Sequence, residues 1–96
     1  MIGVIATLKI QPGKAAEFES VFREMMAKVK ANEGGCLAYQ LTRSRSEPDT
    51  YKVLELYANS QAHEAHGQSE HFREMAPKLG PFLAAMPEIE VLDAIQ

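Results

Sequence analysis

Between Ile10 and Lys14 the spacing of apolar residues changes period, and that change constrains the fold more than any other feature of the chain. Upstream, Ile2, Val4, Ala6, Leu8 and Ile10 alternate with Gly3, Ile5, Thr7 and Lys9, the period of two that marks a strand. Pro12-Gly13 ends it. Downstream, Phe18, Val21, Phe22, Met25, Met26 and Val29 recur at intervals of three and four, the stripe of an amphipathic helix. Asn32, Gly34 and Gly35 stop that helix, most simply through a left-handed C-cap.

The alternation then returns. Cys36 to Ser44 and Tyr51 to Ala58 are extended runs rich in β-branched, aromatic and leucine residues, and the polar Arg45-Ser46-Glu47-Pro48-Asp49 between them predicts an antiparallel hairpin. Asn59 and Ser60 cap a second helical region, which Gly67 weakens and Ser69 restarts before Gly80-Pro81 and Pro87 end it. Ile89 to Ile95 alternates again as a last strand. The order β, α, β, β, α, β is a split pair of βαβ units. It predicts an α+β, ferredoxin-like antiparallel sheet with both helices on one face, formed by residues 1–96 as a single domain. A chain this short buries only about 60 to 65% of its extended surface. Ile5 beside Val4 and Leu92 beside Val91 make both strand faces apolar, so the open face is expected to pack on the same face of a second copy, giving a homodimer.

Charge excludes other classes of partner. The formal charge is -3, and the 10 basic residues are scattered among acidic ones without forming a stripe, which argues against nucleic acid. Glu19/Arg23, Glu24/Lys28 and Glu74/Lys78 are spaced as solvated helix pairs. No apolar run approaches the ~20 residues of a membrane span, and the opening MIGVIATLKI carries neither a basic leader nor a cleavage site; the expectation is a cytoplasmic protein away from membranes. One cysteine makes no internal disulfide, and nothing beside Cys36 would lower its pKa, so a packing role is expected.

In the second helical region Ala62, Ala65, Ser69, Phe72, Ala76, Leu79 and Leu83 step by three and four and define an inward face. His66 lies beside that face, whereas His63 and His71 fall on the opposite side as solvent or interface residues. His66 is either a packing histidine that hydrogen-bonds a carbonyl or carboxylate, or a proton acceptor facing a space between helix and sheet. His63 and His66 lack the spacing and the cysteine partner of a zinc site, so no metal is expected. Glu55 shares a strand face with Val53 and Tyr57 and needs a partner if buried. Arg43 or a tyrosine hydroxyl would make it structural, and His66 would make it the orienting group of a base. Tyr39 and Tyr57 are core residues or donors to a phenolic ligand. Phe72, Met75, Leu79 and Phe82 are core or pocket wall. No phosphate loop, nucleotide fingerprint or Ser/His/Asp arrangement is present.

KIQPGKAAEFE, ANEGGCLAYQL, VLELYANSQAHEAHGQSEHF and MPEIEVLD, in this order and spacing, resemble the antibiotic-biosynthesis monooxygenase superfamily over essentially the whole chain. The resemblance implies a dimeric α+β barrel with a pocket between sheet and helices in each subunit. It further implies oxidation of a small quinol or phenol by O2 without cofactor, metal or flavin. His66 matches the position of the base, with Glu55 as orienting group and Tyr39 or Tyr57 as hydroxyl donors, and Phe72, Met75, Leu79 and Phe82 would line the substrate pocket. Haem-degrading relatives carry an aromatic residue where His66 stands and a histidine ligand just after the HF segment. Here that stretch reads REMAPK, with Ala76 in the ligand position, which sets haem aside. Tryptophan, which lines the pocket of some antibiotic-tailoring members of the superfamily, is absent here, so the resemblance implies a substrate smaller than a polycycle. A dimeric metabolite-binding module without catalysis and a proton-shuttling isomerase of a keto or hydroxy metabolite are the alternatives.

Overall fold

The change of period at Pro12-Gly13 is realised as β1 (Ile2–Lys9) followed by α1 (Ala15–Asn32). Gly13 turns the chain between them with φ at 83°, a left-handed conformation open to a residue without Cβ. The computed structural model describes all residues, Met1–Gln96. They continue as β2 (Cys36–Arg43), β3 (Thr50–Tyr57), α2 (Ser60–Gln68), α3 (Glu70–Leu79), a short 3₁₀ turn (Gly80–Phe82) and β4 (Glu88–Asp93). The strands form one antiparallel sheet in the order β2-β3-β1-β4, the ferredoxin-like α+β arrangement that the element order predicts.

Pairing register decides which side chains meet the helices. Val4 lies opposite Glu55 on β3 and Val91 on β4, and Ala6 lies opposite Val53 and Ile89, so these residues share the helix-facing side of the sheet. Ala6, Leu8, Tyr39, Tyr51 and Val53 pack there against Phe18, Phe22, Met25 and Val29 of α1 and Met75 of α3 in one core. Each large apolar side chain buried this way contributes about 1.5–3 kcal/mol. The amphipathic Tyr51 reaches the rim of the core, where its hydroxyl donates to Glu19 Oε2 at 2.5 Å. The other sheet face presents Ile5, Leu54, Leu56 and Leu92, of which Leu54 is 45% and Leu92 39% exposed.

Two local expectations change. The first helix does not end in a left-handed cap: Glu33 holds φ at -117° and donates its N–H to Val29 O at 2.9 Å. Gly35 serves close approach instead, because a Cβ there would stand 2.6 Å from Ala62 Cβ. The second change is in helical phase. Ser69 is extended (φ -65°, ψ 151°) and both ends α2 and caps α3, donating to His66 O at 2.7 Å and accepting from Phe72 N–H at 3.2 Å. The single inward face drawn across both helices is therefore reset at Ser69. Ala65 is exposed, and His63 and His71 are turned inward rather than toward solvent.

Gly35→Ala forces α2 away from the start of β2 and is expected to lower stability by about 1–3 kcal/mol. Gly67→Ala, in the last turn of α2 with nothing within 4 Å of the added Cβ, is expected to raise it by about 0.5–1 kcal/mol. Urea unfolding of the two variants beside the wild type measures both.

Candidate functional site

Glu33 stands at the carboxyl end of α1, where the helix macrodipole disfavours an acid. Its partners come from the far side of the Ser69 break. Glu33 Oε2 lies 2.8 Å and Oε1 3.0 Å from His66 Nδ1, and Oε2 also bonds His71 Nε2. The three side chains are largely buried, at 9% exposure for Glu33, 7% for His66 and 11% for His71. Ser69 Oγ, 3.1 Å from His71 Nε2, completes the cluster.

The chemistry of these contacts orients His66. An ionised carboxylate only accepts hydrogen bonds, so the ring nitrogen facing it carries the hydrogen, and a neutral imidazole then leaves its lone pair on Nε2. Nε2 has no partner within the chain. Every buried side-chain nitrogen or oxygen in the protein is satisfied, so Nε2 reaches open space, and the ring lines a cavity of about 300 Å³ between sheet and helices. That volume is at the lower end of small-molecule pockets. Tyr39 (ring centroids 5.1 Å apart), Tyr57 (5.6 Å) and the edge-on Phe72 (5.1 Å) hold the imidazole in place.

The cavity wall is mostly apolar, with Phe22, Phe72, Leu79 and Ile89 among its residues and Tyr39, Glu55, His63 and His66 as its polar members. The structure divides the expected pocket residues. Tyr39, Phe72 and Leu79 line the space, and the Tyr39 hydroxyl makes no hydrogen bond to the chain. Tyr57 and Met75 are instead fully buried, and Phe82 packs edge-on against Phe18 at 6.4 Å, so these three support the wall from behind. Ala76, the position at which haem-degrading relatives would place a ligand, is a wall residue.

Glu55 also faces the cavity, but its hydrogen bond is to the hydroxyl of Tyr57, which donates to Oε1 at 2.5 Å. Arg43 pairs with Glu19 at 3.7 Å instead. The carboxylate that holds His66 is therefore Glu33 rather than Glu55. Burial raises the Glu55 pKa above its ordinary value, opposed by the Tyr57 hydrogen bond and the nearby His66. Burial, and then the Glu55 carboxylate, raises the pKa of the Tyr39 and Tyr57 hydroxyls, so both remain protonated donors at neutral pH. Cys36 is pushed up to about 11 by burial and by the charge of Glu33, which keeps it a thiol.

Glu33 and His71 are the members of this cluster that sequence reasoning missed. The available signal was the misplaced acid just after the last turn of α1, beside a glycine pair that reads as a helix stop.

Residues 1–78 match the antibiotic biosynthesis monooxygenase family. A crystal structure of a protein from Caulobacter crescentus, provisionally named an antibiotic biosynthesis monooxygenase, is 58% identical, covers 99% of this chain and 90% of its own, and superposes with a TM-score of 0.96. YcnE of Bacillus subtilis, provisionally named a monooxygenase, is 29% identical over 88% of each chain. The uncharacterised protein sll1783 of Synechocystis is 27% identical over 94% of this chain, which spans 60% of that protein's length.

The native state holds the Glu55 proton more tightly than the unfolded chain, so ionising this carboxyl opposes folding. The cost is absent well below the ordinary value of 4.5 and grows as the pH rises through the higher folded value. Glu55→Gln, which keeps an acceptor for Tyr57, is therefore expected to gain stability relative to the wild type as the pH rises above the ordinary carboxylate value, levelling off beyond the raised folded value, as read by urea unfolding at each pH.

Proposed function

The chain belongs to the antibiotic biosynthesis monooxygenase family, and we propose that it oxidises a small quinol or phenol with O2, the substrate itself serving as reductant and His66 as general base. The observation that carries this reading is the Glu33–His66 pair, which leaves Nε2 as a lone-pair acceptor beside an apolar cavity.

In the proposed reaction a substrate hydroxyl binds at His66 Nε2, with the free Tyr39 hydroxyl available to a second substrate oxygen. Nε2 takes the hydroxyl proton, and the imidazolium so formed is stabilised by Glu33 at its other nitrogen. The resulting phenolate gives one electron to O2, and the superoxide and substrate radical combine to form a carbon–oxygen bond. His66 returns its proton to the peroxide, and as the O–O bond breaks the hydrogen on the oxygenated carbon leaves as a proton, its C–H electron pair forming the new carbonyl and its proton completing the water. One oxygen atom stays in the product and the other leaves as water with two hydrogens from the quinol. The four electrons that reduce O2 all come from the substrate. The apolar wall favours a small aromatic ring and holds it against the base.

The exposed Leu54 and Leu92, with Ile5 and Leu56 on the same sheet face, form the surface on which we place a second copy, giving a homodimer with one cavity in each subunit. A proton-shuttling isomerase of a keto or hydroxy metabolite is the second reading. It is favoured by Glu55, a carboxyl of raised pKa on the same cavity wall as His66. Product formation under nitrogen would select it.

Oxygen uptake over a panel of reduced naphthoquinols and simple catechols tests the first reading. The wild type is expected to exceed autoxidation, and His66→Ala, checked to be folded, to lose about 10²–10⁴-fold in rate. Wild-type uptake at the background rate with every substrate would refute it.

A further inference from the structure

Glu33, His66 and His71 bring one carboxylate oxygen and two imidazole nitrogens within 4.8 Å of one another. We propose that these three side chains form a binding site for a divalent transition cation of the Zn²⁺ or Co²⁺ type.

Two nitrogens and one carboxylate oxygen are the donor set of three-ligand zinc sites, in which the remaining position is left for water. Metal–ligand bonds of ~2.0–2.2 Å place tetrahedral donors about 3.3 Å apart. The Glu33 oxygens are already 2.8 and 3.0 Å from His66 Nδ1. The gap between the two imidazole nitrogens is at most 4.8 Å, and rotation of His71, which borders the surface cleft, would close it while the packed His66 ring stays in place. Glu33 is a buried carboxylate whose hydrogen-bond partners are imidazoles, with no lysine or arginine in contact, and a dication would supply the opposite charge at that point.

Access to the site is separate from the apolar cavity. His71 opens on a polar surface cleft lined also by Lys28, Asn32, Ser69, Glu70 and Glu74. Two carboxylates therefore flank the entrance, although Lys28 pairs with Glu74 at 3.4 Å. The extended Ser69 places His66 and His71 on different helices, so the site has none of the helical histidine spacings that mark zinc motifs in sequence.

Occupancy has a consequence for the base. A cation on Nδ1 requires neutral His66 to carry its hydrogen on Nε2, which turns the nitrogen facing the cavity from acceptor into donor with no net proton released. This consequence rests on the proposed function, whereas the site itself does not.

Titrating the full chain, freed of metal with a chelator, with Co²⁺ tests the site without any turnover. One Co²⁺ per chain with the strong visible bands of a low-coordinate site, displaced by Zn²⁺, is the expected result. His71→Ala is expected to weaken binding about tenfold or more, since losing even an outer-shell partner costs ~10–100-fold. Should that variant not fold, the wild type alone decides: Zn²⁺ is expected to move the ring-nitrogen resonances of both His66 and His71 to those of ligated imidazole. Absence of the visible bands, undiminished binding in a folded His71→Ala, or no shift at either histidine overturns the proposal.

Discussion

A carboxylate taken out of water must be surrounded by hydrogen-bond donors, and the way Glu33 meets this requirement organises the working end of the molecule. Glu33 closes α1 at the end where the helix dipole opposes its charge, so neither solvation nor the helix stabilises it there. His66 and His71 do so, from two helices that follow the β2–β3 hairpin. The contact ties the end of α1 to the junction of α2 and α3 across a sequence separation of 33 residues to His66. The same contact that satisfies the acid sets the orientation of the imidazole, so fold and site depend on one cluster.

Two features of the backbone make the contact geometrically available. Gly35 lets α2 settle against the start of β2, with the Ala62 methyl filling the space a side chain would take. Ser69 then breaks the helix so that a residue before the break and one after it converge on one carboxylate. The aromatic rings around His66 restrict its motion, and a fixed ring presents a fixed lone pair. Glu55 and Tyr57 satisfy each other below the same cavity, so two buried carboxylates serve the site in different ways: one orients an imidazole and the other pairs with a phenol.

Much of this was legible in the sequence where the cause is local. Alternation and helical spacing place every strand and helix to within a residue or two. Alternation also put Glu55 on the same face as Tyr57, two residues away, and the hydrogen bond between them follows from that placement. His66 was legible as an inward histidine because its phase is measured within α2 itself. Phase could not place His71, since it was carried through Ser69 as though the helix continued, and the extended residue discards it. Nor could it place Glu33, whose partners lie far along the chain. The glycines after α1 were legible as a helix stop, but whether they serve a left-handed cap or close packing depends on α2, which only the folded chain supplies.

Glu33 holds the imidazole hydrogen of His66 on Nδ1 and leaves Nε2 bare toward the cavity. Nitrogen-15 NMR of the neutral histidine rings in the metal-free protein measures this directly. A protonated Nδ1 and an unprotonated Nε2 are expected for His66, with the preference weakened in Glu33→Gln. A hydrogen found on Nε2 in the wild type would contradict it.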